Sequence, residues 1–314
     1  MNESVGKLLD GIQRVIKGKQ EFLELLIACI LAKGHVLIED NPGLGKTTVA
    51  KTLARLIADE DGKPLVCKRI QFTPDLLPYD ITGVDVFDPE TRMFHFVPGP
   101  VLANVVLADE INRTTPKTQS ALLEVMAERQ VTVGNTSHKP KEPFFVIATE
   151  NPVESEGIFP LPAAQLDRFM LRLSLGYPDR EAELVILENN PAEKALSELD
   201  PVITRTEFLR TQDDVSRVFC HQTLKEAIVD IVRTTRIHEN ITMGASPRAG
   251  LHFLAASRAL AFVRGRDFVI DEDIAVLCGP ALCHRLKTSR FVKPVDIIPI
   301  IRGICVENLR KRTA

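Results

Sequence analysis

The sequence predicts an α/β fold, in which a parallel sheet with hairpin insertions is followed by a small all-helical domain. Short apolar runs typical of strands alternate with helical patterns in the first half of the chain. Two hairpin signals interrupt this alternation, and the strand-like runs largely stop after Tyr177-Pro178. The length of 314 residues agrees with roughly two domains.

Five apolar runs are the predicted strands of the parallel sheet. Helical patterns separate them, as crossover connections between parallel strands require. They comprise residues 35–39, 65–72, 104–108, 144–148 and 169–175.

Two hairpins are predicted as insertions in this core. The first covers residues 84–97, with the turn sequence Asp88-Pro89-Glu90-Thr91 between two alternating runs. The second begins at residues 131–133 and turns at Gly134-Asn135.

The helical domain is predicted to begin near residues 178–183, which divides the chain into a core of residues 1–180 and a second unit of residues 181–314. Residues 189–203, with Asn-Asn-Pro and Asp-Pro, are interpreted as a turn-rich connection. Helical periodicity then covers residues 224–238, 247–263 and 274–286.

Composition excludes several classes of protein. A net charge of −3 and 5% aromatic residues argue against a general nucleic-acid or membrane-surface binder. Six cysteines without a CxxC pair are typical of reduced thiols in a core. The apolar run 22–32 is too short to cross a bilayer and no signal peptide is evident, so we expect a cytoplasmic protein without membrane insertion.

The strongest motif is a glycine-rich loop between a predicted strand and a predicted helix, and it covers residues 39–48. Small residues allow backbone N–H groups to surround phosphates, Lys46 can reach the outer phosphates, and Thr47 can ligate Mg²⁺. The strict pattern has Gly where this chain has Asp40. A glycine-rich turn before an ordinary helix is the alternative, but the order of strand, glycines, Lys, Thr and helix favours a phosphate site.

A pair of carboxylates, Asp109 and Glu110, follows the apolar run 104–108. Open α/β sheets bind ligands at the carboxyl ends of their strands. Asp109 is therefore placed to hold Mg²⁺ beside Thr47, and Glu110 to polarise an attacking water. A solvated acidic turn is the alternative, which the nearby Lys46 loop disfavours.

Three further polar residues are candidates for phosphate chemistry. Asn151 follows the run 144–148 and could orient water, although Asn-Pro is also a common turn. Arg248 follows Ser246 and Pro247 in the first turn of a predicted helix, where a cation opposes the helix dipole unless an anion compensates. Arg168 precedes the last predicted strand. An ion pair with Asp167 or Glu181 is its alternative role, and Arg248 could equally be a solvated surface residue.

Taken together, these motifs closely resemble the MoxR family of AAA+ ATPases. The resemblance extends over nearly the whole chain, in residues 15–20, 39–48, 69–78, 96–100, 108–113, 116–123, 128–133, 144–152, 157–169 and 244–248. It implies an AAA+ P-loop nucleotide domain with a helical lid, ATP and Mg²⁺ as cofactors, and a homo-oligomer, a hexameric ring.

The resemblance also implies residue roles. Lys46 and Thr47 are similar to the Walker A pair, and Asp109 and Glu110 to the Walker B pair. Asn151 resembles sensor 1, Arg248 sensor 2, and Arg168 the finger that reaches a neighbouring subunit's nucleotide. The segment resembling the adenine-lining part contains Val15, Ile16 and Gly18; the phosphate-binding residues are Asn41, Pro42, Gly43, Leu44, Gly45, Lys46, Thr47 and Thr48.

Partners follow from the family as well. Its members are thought to be chaperone-like machines that remodel or mature proteins, often ones with von Willebrand factor A domains. The hairpin of residues 84–97 is similar to an insertion that faces substrate at the ring pore. Glu150 stands where Gln is common in the family, which adds a negative charge near the γ-phosphate.

Two other functions remain open. A nucleotide-gated scaffold would switch ring state on binding, with incidental turnover. A nucleic-acid motor would use a basic C-terminal stretch, although most such runs are solvated faces. The stretch contains Arg285, Lys287, Arg290, Lys293, Arg302, Arg310, Lys311 and Arg312 against Asp296 and Glu307.

Overall fold

The structure is a computed structural model that describes residues 2–41, 43–151, 157–189, 195–289 and 297–313. Pro42, predicted to contact phosphate, lies outside these residues, as do Arg290, Lys293 and Asp296 of the basic stretch.

The core is a five-stranded parallel sheet, which confirms the predicted fold class. In spatial order its strands are β10 (Leu171–Leu173), β1 (Val36–Glu39), β9 (Phe145–Glu150), β6 (Val105–Asp109) and β3 (Cys67–Gln71). All five strands were predicted. The carboxyl ends of β1, β9 and β6 lie side by side, which brings the three polar motifs to one edge of the sheet.

Helices cover both faces of the sheet. Successive side chains along a buried strand point to opposite faces, so each face contributes to its own apolar core. Val36 and Ile38 belong to one core, and Leu37 to the other. The helices of this part are α1 (Glu3–Val15), α2 (Gln20–Leu31), α3 (Lys46–Arg55), α4 (Pro78–Thr82), α5 (Pro116–Glu128) and α6 (Ala163–Leu166).

Both predicted hairpins are present. The first pairs β4 (Gly83–Asp88) with β5 (Met93–Pro98), and the second pairs β7 (Val131–Val133) with β8 (Thr136–His138). The rings of Phe96 and His138 stack at 3.7 Å, so the hairpins contact each other.

The C-terminal part is mainly helical, as predicted. Its helices are α7 (Arg180–Asn189), α8 (Arg205–Ser216), α9 (Gln222–Ile237), α10 (Pro247–Val263), α11 (Asp271–Leu282) and α12 (Ile297–Thr313). Helical periodicity predicted α9, α10 and α11, whereas α7, α8 and α12 were not predicted.

Short strands that the sequence analysis missed connect these helices. β2 (Ile57–Ala58) pairs in parallel with β11 (Ile203–Thr204), so the predicted turn-rich connection ends in a strand bound to the core. β12 (Ile241–Met243) pairs with β13 (Lys287–Thr288).

The cysteines have the burial expected from the sequence. All six cysteines are free; five are buried and Cys67 is half-buried, which confirms the core interpretation. Within the described residues, no helix combines the length and apolarity needed to cross a membrane.

Candidate functional site

The glycine-rich loop joins the end of β1 to the start of α3 at Lys46. Gly43 and Gly45 have φ of 85° and 86°, in the left-handed region. A Cβ at either position would meet no atom within 4 Å, so glycine is required here by backbone conformation and not by space. The loop therefore delivers backbone N–H groups and a helix N-terminus to one point, as a phosphate site needs.

Lys46 is buried at the centre of the site. Its Nζ donates to the carbonyl oxygen of Asp40 at 2.7 Å. Burial lowers the pKa of Lys46, while the nearby carboxylates of Asp40, Asp109 and Glu110 oppose this shift. The fold thus brings the lysine of the loop and the carboxylate pair into one electrostatic environment.

Asp40 stands where the strict phosphate-loop pattern has Gly, and its hydrogen bonds explain this difference. Its carboxylate accepts hydrogen bonds from Ser174 Oγ at 2.8 Å and from the N–H groups of Leu175 and Gly176 at 2.5 and 3.2 Å. Glycine could make none of these bonds. Asp40 therefore ties the phosphate loop to the segment that follows β10.

Thr149 organises the carboxylate pair, and the sequence analysis missed it. Its fully buried hydroxyl donates to Asp109 Oδ1 at 2.7 Å and accepts from the N–H of Glu110 at 2.8 Å. Glu110 itself has a φ of 56°, unusual for a residue with a side chain. The contact of Thr149 depends on the pairing of β6 with β9, which places the ends of these strands side by side and which no local sequence pattern indicates.

The neighbouring strand β3 holds the same carboxylates from the other side. Arg69 donates to Asp109 Oδ2 from Nε at 3.0 Å and from Nη2 at 2.6 Å. Gln71 Nε2 donates to Glu110 Oε2 at 2.8 Å, and Arg113 pairs with the same oxygen at 3.1 Å. These three residues were also missed. Arg69 and Gln71 reach the carboxylates because the strand register pairs Gln71 with Asp109.

Asn151 and Glu150 lie at the end of β9. Asn151 is buried. Glu150 lies in register with Glu39, which pairs with Arg172 at 2.8 Å. Burial, with Glu39 as second cause, raises the pKa of Glu150 to about 7, while Arg172 opposes the shift. Its negative charge is therefore only partial at neutral pH.

A cavity of about 270 Å³ adjoins the phosphate loop. Val15 and Ile16 line it, together with Leu44, Thr48 and Leu175. Val15 and Ile16 are the residues that the family resemblance assigns to an adenine ring, and an apolar cavity beside the phosphate loop suits such a ring. Gly18 lies between Lys17 and Lys19, which also line the cavity.

Tyr177 joins the phosphate loop to the N-terminal segment, a role that the sequence did not predict. Asn41 Nδ2 donates to the Tyr177 hydroxyl at 3.0 Å, and Lys19 Nζ donates to the Tyr177 carbonyl oxygen. Gly18 has a φ of 67°, and a Cβ there would lie 3.0 Å from Asp179 Oδ2. The loop, the N-terminal segment and the chain after β10 are thus held together.

Arg168 and Arg248 lie away from this cluster. The N–H of Met170 donates to the His35 carbonyl oxygen at 2.8 Å, so Arg168 precedes β10 at the edge where β1 begins. The phosphate loop begins at Asp40, at the other edge of the sheet. A strand advances by roughly 3.3 Å per residue, so the five steps from His35 to Asp40 place the two edges about 16 Å apart. Arg248 is exposed in the first turn of α10, whose start contacts Asp167.

The alternative role of Arg168, an ion pair with Asp167 or Glu181, is not found among the described residues. Its Nη1 donates to the Leu123 carbonyl oxygen. The carboxylate of Asp167 pairs with Arg285 at 3.2 Å.

Comparisons with known proteins decide the family. Residues 35–171 match the ATPase family associated with various cellular activities, and residues 233–301 match an AAA lid domain. Chaperone MoxR1 of Mycobacterium tuberculosis is 41% identical over 299 residues, which cover 92% of this chain and 77% of the relative. The chain belongs to the MoxR family of AAA+ ATPases.

Other relatives agree over similar spans. Uncharacterized protein YeaC of Bacillus subtilis is 47% identical, covering 90% of this chain and 86% of the relative. Protein MoxR of Paracoccus denitrificans is 28% identical, covering 90% and 88%. A crystal structure from Cytophaga hutchinsonii superposes with a TM-score of 0.85 at 35% identity, covering 95% of this chain and 93% of that one.

Proposed function

We propose that this MoxR-family protein binds and hydrolyses ATP with Mg²⁺ in a ring, and uses the cycle to remodel or mature protein partners. One observation carries the proposal. Lys46 begins the helix that follows β1, and Asp109 and Glu110 end β6 at the same carboxyl edge of the parallel sheet, near enough for their charges to act on Lys46. Phosphoryl transfer requires this combination of a phosphate-binding cation, metal-binding oxygen and water-activating carboxylate.

Nucleotide binding is assigned to the loop of residues 41–48 and the adjoining cavity. The N–H groups at the start of α3 and Lys46 bind the phosphates, and Val15 and Ile16 contact the base. Asp40 and Tyr177 keep the walls of the cavity in place through the bonds described above.

The residues present fit a magnesium ion. Thr47 is in the first turn of α3, and Asp109 presents a carboxylate already oriented by Thr149. Magnesium, when bound with ATP, would neutralise charge on the phosphate oxygens. Arg69 compensates the charge of Asp109 through Oδ2 and must release that oxygen before it can serve a cation.

Water activation is assigned to Glu110, with Asn151 orienting the water. Gln71 and Arg113 both bind Glu110 Oε2, which leaves Oε1 as the oxygen for a water proton. Because these contacts fix the carboxylate, the residue is held ready for the reaction and not free to rotate.

Arg168 and Arg248 are proposed to act on the nucleotide of a neighbouring copy. Both lie at the edge of the sheet opposite their own phosphate loop, so they cannot serve the nucleotide held there without a large rearrangement. A ring of identical copies places one such edge beside the next copy's loop, because its interfaces are head-to-tail. Each active site is then completed only on assembly, and a hexamer is the proposed form.

Protein partners are proposed to contact the first hairpin. Met93 and Phe94 near its turn are 68% and 69% exposed, and Phe87 packs against Phe94 with ring centroids 5.3 Å apart. Such an apolar tip is typical of a surface for protein partners, for which von Willebrand factor A domain proteins are candidates. We also propose that the protein is cytoplasmic, that its nucleotide-binding core ends at residue 180, and that the helical lid moves after hydrolysis.

A nucleic-acid motor is disfavoured by one observation. Arg285 of the basic stretch is 3% exposed and contacts the core, so it belongs to an interior joint and not to a solvated basic face.

The test is steady-state ATP hydrolysis by the wild type, Glu110→Gln and Arg168→Ala, with oligomer mass measured with and without ATP. Loss of turnover in both variants while rings still form supports the proposal. No turnover in the wild type, while nucleotide still changes its assembly state, supports a nucleotide-gated scaffold. Full activity in Arg168→Ala removes the shared active site.

A further inference from the structure

A polar cluster joins the segment that carries Arg168 to the helix that carries Arg248. Ser246 Oγ lies 2.9 Å from each carboxylate oxygen of Asp167. The same hydroxyl accepts from the N–H of Ala249 at 3.1 Å, so it caps α10 while donating to Asp167. The start of α10 is therefore fixed to the residue next to Arg168.

Arg285 forms the second link in this cluster. Its guanidinium pairs with Asp167 at 3.2 Å and donates to the Phe169 carbonyl oxygen. It also bonds to His252 Nδ1 at 2.7 Å, one turn after Arg248 on α10. Burial first, and then Arg285 and Arg248, lower the pKa of His252 to about 3. His252 is thus a neutral acceptor, and α10 is held at two points.

Positive charge exceeds negative charge in this cluster. Asp167 is the one carboxylate that the described contacts place against Ser246 and Arg285. Burial lowers the pKa of Arg285 to about 10 and Asp167 opposes the shift, so the guanidinium stays protonated at neutral pH. Asp167 compensates this buried cation, which leaves Arg168 and Arg248 as the surplus positive charge beside it. Such a surplus favours an anion on this face.

We infer that Asp167 is a positioning residue that fixes Arg168 and Arg248 as one unit, so that both reach the phosphates of a nucleotide held by a second copy of this chain. The inference rests on the proposed function, because it requires a nucleotide at an interface between copies. Arg168 belongs to the core and Arg248 to the helical part. The Asp167 cluster is the link that joins the residue next to Arg168 directly to the helix turn that carries Arg248.

The test uses mixtures of variants, since a positioning role and a purely structural role differ there. Asp167→Asn removes the negative charge that pairs with Arg285. Ser246→Ala removes only the hydrogen bond between Asp167 and the start of α10, together with the N-terminal cap of that helix. Asp273→Asn is the matched control, because Asp273 likewise pairs with an arginine, Arg266 at 2.6 Å, and is fully buried, but it lies on α11. Each variant is assayed for ATP hydrolysis alone and mixed in equal amounts with Lys46→Ala or Arg168→Ala.

The expected pattern separates the two roles. Asp167→Asn alone loses at least about tenfold in kcat while its affinity for ATP stays within about twofold, since its own nucleotide cavity is intact. Mixing with Lys46→Ala, whose arginines are intact, restores activity to about a quarter of the wild type. In an equal random mixture, about one interface in four combines the intact phosphate loop of one variant with the intact arginines of the other. Mixing with Arg168→Ala restores none, because every interface then lacks a working arginine unit. Ser246→Ala gives the same pattern with a smaller loss, and Asp273→Asn stays active.

Several results would overturn the inference. If Lys46→Ala restores Arg168→Ala but not Asp167→Asn, Asp167 merely supports folding. If Asp167→Asn is restored by Arg168→Ala, the two residues do not act together. If Asp167→Asn does not fold, Ser246→Ala decides, and unchanged kcat in that variant refutes the joint unit. If Lys46→Ala and Arg168→Ala fail to restore each other, the shared site of the proposed function fails, and this inference with it.

Discussion

Glu150→Gln should stabilise the protein above neutral pH and change its stability little in mild acid. Glu150 is mostly buried at the end of β9, beside Glu39, and Arg172 pairs with Glu39. Two carboxylates therefore share one guanidinium. Burial and this shortage of positive charge favour the protonated form of Glu150, whose pKa rises to about 7.

The sign and size of the effect follow from linkage. The ordinary pKa of Glu is 4.5, so between pH 4.5 and about 7 the folded protein holds a proton that the unfolded chain has released. The free energy of unfolding falls as pH rises through this window. At about 1.4 kcal/mol per pH unit, the loss is about 3 kcal/mol. Gln has the same shape and no charge, so it avoids the loss.

The assay is denaturant unfolding at pH 4.5 and pH 8 of the wild type, Glu150→Gln and the control Glu124→Gln, which changes an exposed carboxylate on α5. We expect Glu150→Gln to exceed the wild type by about 3 kcal/mol at pH 8 and by a small fraction of that at pH 4.5. Glu124→Gln should show no such dependence. An equal difference between Glu150→Gln and wild type at both pH values would refute the reasoning.

Three further predictions concern the nucleotide site. Thr149→Val leaves the buried N–H of Glu110 without its acceptor, at a cost of about 1–3 kcal/mol, and should lower kcat at least tenfold; wild-type turnover would contradict this. Asp40→Asn replaces an acceptor of three bonds by a group that also donates, and should raise the Kd for ATP about tenfold, or about 1.4 kcal/mol, in a fluorescence titration. An unchanged Kd would exclude the role of Asp40 in shaping the cavity. Gly45→Ala places a side chain at a φ of 86°, which costs roughly 1–2 kcal/mol and should weaken ATP binding in calorimetry; because the space is open, full affinity would mean that the loop tolerates another conformation.

The sequence was sufficient where a local pattern has one physical solution. Glycines at 43 and 45 before Lys46 permit a loop that few other residues can form, and the apolar run before Asp109 fixes it at the end of a buried strand. The hairpins were found for the same reason, since alternating runs around a turn sequence allow little else. Helix α10 matched residue for residue because Ser246 and Pro247 define its start.

Contacts between distant segments could not be predicted in this way. Thr149, Arg69 and Gln71 act on the carboxylate pair only because β9 and β3 flank β6, and this order of strands is not written in any local pattern. Arg285 looked like part of a solvated basic stretch, yet its burial depends on Asp167, more than a hundred residues earlier. The short pairing of β2 with β11 depends likewise on tertiary packing, because two residues carry almost no periodicity.

The measurement that tests the central claim most directly is ATP hydrolysis by an equal mixture of Lys46→Ala and Arg168→Ala. Each variant alone should be inactive, the first because it cannot hold nucleotide and the second because no copy supplies the arginine. If active sites are shared between copies, the mixture recovers about a quarter of wild-type activity. If the mixture stays as inactive as its components while both variants assemble, each copy does not complete its neighbour's site, and the account is contradicted.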